Sequence, residues 1–268
     1  MSRFLAFFSV TLLAAALAGC SGKPPGTFQG YVEGEYVYVA SPLGGALARL
    51  AVARGDTVKA GQLLFELERQ SEAAMLDQAE KNLAQAKSSQ DMAESTYQRR
   101  KELRESPSAV VSAEELDKAR TDRDAAAAQV AAQAAALDKA RWSFDQKQQA
   151  APTNAFVQDT LYRQGEWVAA GNPVIALLPP ENLKVRFFVP QASLPLVKIG
   201  ATANVTFDGT GKTYAATINY ISTQSEYTPP VIFSRETRAN LVFMIEAKFS
   251  AADAPELRPG QPVDVQLP

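Results

Sequence analysis

A short block of residues occurs twice in this chain, and the distance between the copies limits what it can fold into. Residues 40–67 recur at 150–177 at a constant offset of 110. Ala40, Pro42, Gly55, Val58, Ala60, Gly61 and Leu67 reappear as Ala150, Pro152, Gly165, Val168, Ala170, Gly171 and Leu177, seven identities in 28 ungapped positions. Asp56 corresponds to Glu166. In each copy a glycine and an acid separate short apolar runs, and a second glycine follows six residues later. That spacing predicts strand, tight turn, strand. One such half cannot bury its apolar face alone, whereas two halves packed as a small sandwich can.

The residues between the copies have a different composition. Residues 70–149 contain none of the 15 glycines and one of the 16 prolines, Pro107, with 19 alanines and 26 charged residues, 14 acidic and 12 basic. This predicts two solvated helices interrupted near Pro107. Leu76, Leu83, Gln90 and Tyr97 share one heptad position, with Ala79, Ala86 and Ala93 three residues behind the first three. In the second arm Leu116, Val130, Leu137 and Phe144 share a position broken by Arg123, accompanied by Ala119, Ala126 and Ala140. Large residues at one seam position and alanine at the other suit a close antiparallel coiled coil. An arm of about 36 residues at 1.5 Å each predicts a hairpin roughly 54 Å long.

Two absences narrow the chemistry. The chain has no histidine and one cysteine, Cys20. His-based nucleophile pairs, most zinc sites and any intramolecular disulfide are therefore excluded, and no cofactor or metal is expected. The net charge of −2 gives no support to nucleic-acid binding. An enzyme is not expected. The N-terminus carries an address. Arg3 precedes an apolar run from Phe4 to Ala18, about right for a signal peptide and short for a bilayer span. Leu17-Ala18-Gly19-Cys20 resembles the bacterial lipobox, which implies cleavage before Cys20, acylation of that cysteine and a lipid-anchored, periplasmic form, expected at the inner membrane. Ser21 to Gly26 reads as a tether.

The repeat reads Gly55-Asp56-Thr57-Val58-Lys59-Ala60-Gly61 and resembles the turn pattern of the lipoyl/biotinyl fold. Where a carrier presents its modified lysine, this chain has about 80 inserted residues, so a cofactor carrier is not expected. A lipoyl-like domain split by a long α-hairpin behind a lipobox resembles the HlyD-type periplasmic adaptors, or membrane fusion proteins. The resemblance implies a non-catalytic subunit linking an inner-membrane pump to a TolC-type outer-membrane channel, assembled as a hexamer. In that family the hairpin tip docks the channel through an Arg-x3-Leu and Ser-x4-Asp signature. Arg99, Leu103, Ser112 and Asp117 match it, with two extra residues and Pro107 between Leu103 and Ser112. The same residues also suit an i,i+4 pair and a Ser112/Glu115 capping box. Either the tip loop is enlarged or Arg99 is not the docking arginine, a role then open to Arg100.

Beyond Glu181 the pattern becomes one of short strands, with candidates at 183–189, 203–207, 214–221, 239–249 and 263–267 and a helical turn or two in 190–197. This predicts a compact β-barrel. Gly211-Lys212-Thr213 lacks the glycine five residues earlier that a phosphate loop needs, and reads as a hairpin turn. Residues 226–243 resemble adaptors that serve ABC exporters of the Ybh type, and the sequence leaves no residues after the barrel for the membrane-proximal domain usual in adaptors of RND pumps. An ABC partner is therefore expected; an RND partner and a pump-free envelope lipoprotein are the alternatives. The expected fold is α+β. It comprises a signal peptide (1–19), an acylated tether (20–36), a split lipoyl-like β-sandwich (37–69 and 150–180), an antiparallel coiled-coil hairpin (70–149) and a small β-barrel (181–268).

Overall fold

The computed structural model describes residues 26–107, 110–207, 212–227, 241–253 and 256–267. They form two compact units, one spanning Tyr36–Pro179 and one built from the residues up to Glu35 together with those from Pro180 onward.

The first unit holds β2 (Val37–Ala40), β3 (Gly45–Leu50), β4 (Thr57–Val58) and β5 (Leu63–Leu67), then helices α1 (Gln70–Glu105) and α2 (Ala113–Asp145). It continues with β6 (Gln148–Ala150), β7 (Ala155–Thr160), β8 (Trp167–Val168) and β9 (Pro173–Leu178). The strands make two four-stranded sheets, β2-β9-β7-β4 and β6-β5-β3-β8. Each sheet mixes strands from both copies of the repeat. The strand after the first glycine does not fold back on its own predecessor, as a local hairpin reading implies. β4 pairs with β7 and β8 pairs with β3.

The offset of 110 survives in atomic detail. The Gly55 and Gly165 amides donate to the carbonyls of Val157 and Leu47, which are themselves 110 apart. Gly61 and Gly171 donate to Ala151 and Ser41 in the same relation. All four glycines have φ between 79° and 97°, a region that costs an L-residue its Cβ clearance. The acids after the first glycines act alike, since Asp56 accepts from the Ala53 amide and Glu166 from the Arg163 amide. The core repeats as well. Leu47, Val58, Leu64, Phe65 and Leu67, and their counterparts Val157, Val168, Val174, Ile175 and Leu177, are all fully buried.

The second unit is a closed six-stranded antiparallel barrel in the order β1-β10-β13-β12-β11-β14. Its strands are β1 (Thr27–Gly34), β10 (Leu183–Pro190), β11 (Thr202–Phe207), β12 (Thr213–Tyr227), β13 (Leu241–Phe249) and β14 (Pro262–Gln266). This corrects the expectation that 20–36 is tether throughout, because residues 27–34 form a barrel strand. The reason is edge satisfaction. β1 pairs with β10 on one side and β14 on the other, and closes what five strands leave open. Phe28 and Val32 point inward, and Gly30 is needed for contact, since a Cβ there would lie 2.5 Å from the Arg186 carbonyl oxygen. Lys184, 6% exposed, donates to Glu35 and Glu246, while the Arg186 guanidinium bridges Glu33 and Glu246.

Candidate functional site

The hairpin is the chain's departure from a plain sandwich. Its seam follows the heptads residue by residue. Ala79, Ala86 and Ala119 are buried, and the remaining seam residues, from Leu76 to Tyr97 and from Leu116 to Phe144, are at least half-covered. The position broken by Arg123 is filled in another way. The Arg123 guanidinium lies 4.4 Å from the centroid of the Tyr97 ring and 3.9 Å from a Glu94 carboxylate oxygen. At the base, the Arg69 guanidinium stands over the Phe144 ring and bonds Glu66 at 2.7 Å.

Lys147, just past α2, is 5% exposed, with its Nζ 3.0 Å from Glu72 and donating to the Gly44 carbonyl at 2.8 Å. The Ser41 hydroxyl donates to the Gln146 carbonyl beside it. These contacts fix the root of the hairpin to the sandwich from which it grows. Sequence reading missed Lys147, because a single lysine in a charge-rich helical segment gives no sign of being buried.

At the far end α1 stops at Glu105 ahead of Pro107, and α2 starts at Ala113 behind Ser112. Ser112 and Glu115 form a full capping box, in which the Ser112 hydroxyl accepts from the Glu115 amide while the Glu115 carboxylate accepts from the Ser112 amide. Hydrogen bonds from the Ser112 backbone, then its hydroxyl, hold the Glu115 carboxyl below the usual range, and Arg100 adds to this. Arg100 and Arg104 reach across the tip to the Glu115 and Val111 carbonyls at 3.0 and 2.8 Å. They clasp the two helix ends together.

The four residues singled out from sequence meet different fates. Ser112 is engaged in the cap. Arg99, Leu103 and Asp117 are exposed, and Arg99 has no hydrogen-bond or ion-pair partner among the described residues. Arg100 is committed to the clasp, so Arg99 is the arginine left facing outward. Leu103 is 43% exposed and Val110, unremarked in the sequence, is 75% exposed. The tip therefore presents a cation, an acid and two apolar side chains on a braced turn. The turn glycines Gly55, Gly61, Gly165 and Gly171 belong to the sandwich, as described above. Cys20 lies outside the described residues. Among the described residues no group of acids is placed to hold a metal ion, and no helix is long and apolar enough to cross a membrane.

Residues 75–147 match the family model "RND MFP, alpha-helical hairpin domain". The membrane fusion protein Spr0693 of Streptococcus pneumoniae superposes with a TM-score of 0.67 at 19% identity, covering 90% of this chain and 98% of that one. The chain has the fold of a membrane fusion protein, with that family's hairpin. MacA of Actinobacillus actinomycetemcomitans gives a TM-score of 0.58 at 19% identity over 90% of this chain and 78% of its own. In sequence the chain is 27% identical to the uncharacterized protein YdhJ of Escherichia coli over 82% of this chain and 78% of that one. It is also 27% identical to the membrane protein YbhG of Salmonella gallinarum, over 90% and 88%.

Proposed function

We propose that this chain is a membrane fusion protein, a non-catalytic periplasmic adaptor that links an inner-membrane ABC exporter to a TolC-type outer-membrane channel. The observation that carries the reading is the hairpin itself, rooted at Lys147, closed along an alanine-rich seam and braced at a tip that leaves Arg99, Leu103 and Asp117 exposed. In this reading Cys20 is acylated and anchors the chain at the inner membrane. The tip meets the channel through Arg99, Leu103 and Asp117, with Ser112 holding the turn. Copies pack head to tail into a hexameric ring, an arrangement that closes without leaving a free interface. Energy comes from ATP hydrolysis in the partner. The ABC assignment is supported by the resemblance of residues 226–243 to Ybh-type adaptors and by the similarity to YbhG along most of the chain.

A second reading, an adaptor of an RND pump, draws on one observation: the matched hairpin model is the one for RND-associated proteins. Affinity capture from detergent-solubilised membranes after mild cross-linking separates the two. Recovery of a permease and ATPase with an outer-membrane channel supports the ABC reading, and recovery of an RND pump replaces it. Recovery of no transporter by a well-expressed bait makes the protein a pump-free envelope lipoprotein.

A further inference from the structure

In an antiparallel barrel, alternate strand ends lie together. The starts of β1, β11 and β13 and the ends of β10, β12 and β14 therefore share one end of this barrel. That end receives the chain from its N-terminal side at Thr27, and carries the loop of residues 191–201 between β10 and β11. The loop has a two-turn 3-10 helix, Gln191–Leu196, followed by Val197, Lys198 and Ile199. Leu196 and Ile199 are 65% and 69% exposed, whereas Val197 between them is buried.

The loop is held in this form. The Val197 amide donates to Leu194, the Gly200 amide donates to Ile218 on β12, and the Ile218 amide returns a bond to Ala201. Gly200 takes the positive φ, 85°, that the turn needs. Two large aliphatic side chains are thus fixed outward on either side of Lys198, and from Pro190 to Thr206 Lys198 is the only charged residue. A neighbouring protein or a bilayer would each cover an apolar pair of this kind.

Chain length selects between them. From Cys20 to Thr27 is seven residue steps, at most about 25 Å when fully extended. This rests on the reading of Cys20 as the acylated residue. Acyl chains on Cys20 then hold the start of β1, and with it this end of the barrel, within that distance of the bilayer surface. Aliphatic side chains flanking a lysine, in a stretch of sequence without an acid from Pro190 to Thr206, match an interface of acyl chains below anionic headgroups. We propose that Leu196 and Ile199 dip into the bilayer interface while Lys198 engages anionic headgroups, so that the barrel has a second, non-covalent membrane contact that sets its orientation.

The test uses the full-length lipoprotein purified from membranes, in which an acylated Cys20 has no free thiol. Leu196→Cys, Ile199→Cys and, at the opposite end of the barrel, Ala252→Cys are each labelled with a polarity-sensitive fluorophore. The proteins are reconstituted into vesicles of equal parts phosphatidylethanolamine and phosphatidylglycerol, with and without spin-labelled lipid. Expected are co-flotation of all three, blue-shifted and lipid-quenched emission at 196 and 199, and water-like, unquenched emission at 252. Co-flotation with unquenched labels at 196 and 199 overturns the inference and leaves the acylation reading intact, as does protection there that requires a co-reconstituted transporter. Equal quenching at 252 also overturns it. Failure to float, with an intact mass lacking acyl groups, removes the acylation reading and this inference with it.

Discussion

Replacing Leu103 by alanine tests whether the tip works by apolar contact, and its size follows from exposure. Full burial of a leucine side chain contributes about 1.5–3 kcal/mol. Leu103 keeps 43% of its surface free, so complete covering by a channel would add that share, roughly 0.6–1.3 kcal/mol per copy. One docking copy then loses about threefold to ninefold in affinity, at 1.4 kcal/mol per factor of ten. In the proposed ring of six the same loss is taken six times, about 4–8 kcal/mol, and channel capture falls by roughly three to six orders of magnitude. The assay is the amount of outer-membrane channel recovered with the cross-linked adaptor, with helical circular dichroism as the fold control. Met92, mid-hairpin and 72% exposed, supplies the comparison, because Met92→Ala removes similar apolar area away from the tip. Undiminished channel recovery with a normally folded Leu103→Ala protein refutes the reasoning, and so does an equal loss from Met92→Ala. A loss of only a few-fold would keep the contact and refute the multiplication by six.

The remaining predictions concern what holds the parts in place. Lys147→Ala leaves the Glu72 carboxylate and the Gly44 carbonyl without their cation, and should cost about 3–5 kcal/mol in urea unfolding followed by helix signal; Glu72→Ala in the same chain should recover part of it. Ser112→Ala should cost about 1 kcal/mol, confined to the first turn of α2, and speed amide exchange at Glu115 and Leu116 about fivefold while the seam stays protected. In the barrel, burial raises the Glu246 pKa, but hydrogen bonds from Lys184 and Arg186 outweigh it and leave the carboxyl below its ordinary value. A lowered folded-state pKa stabilises above the unfolded value, near 4.3, and that contribution disappears as pH falls through the folded value. Amide protection of β10 and β13 should therefore weaken on acidification below about pH 4, with a shallower slope in Glu246→Gln.

The legible parts of this fold share one property, that their signals lie close together in sequence or repeat at a fixed interval. The offset of 110 could be read because both halves must place glycines at the same left-handed turns, Gly55 with Gly165 and Gly61 with Gly171. The heptads could be read because a helix brings Leu76, Ala79 and Leu83 onto one face by geometry alone. The capping box of Ser112 and Glu115 is three residues long. What escaped is what the chain joins from far away. β1 gives only Phe28, Gly30 and Val32 as an alternation, and its partners are β10 and β14, 149 residues or more onward. Lys184, Arg186 and Glu246 likewise become one charge cluster only when β10 meets β13.

Arg123 marks the boundary between the two kinds of signal. In the sequence it breaks a column of apolar seam residues, and by pattern alone it argues against the coiled coil. In the folded hairpin it lies over the ring of Tyr97, itself a seam residue in the opposite column. A flat aromatic face and a flat guanidinium fill the same space as two leucines, and Glu94 with Asp124 satisfies the charge. The consequence is directional. Leucine pairs look alike at every heptad and discriminate weakly between registers, whereas a stacked, ion-paired arginine fits one partner at one height. The pair therefore acts as a register pin between the alanine-lined middle of the hairpin and its tip. It fixes the level at which Arg100 meets Glu115, and so the shape of the turn that carries Leu103 outward.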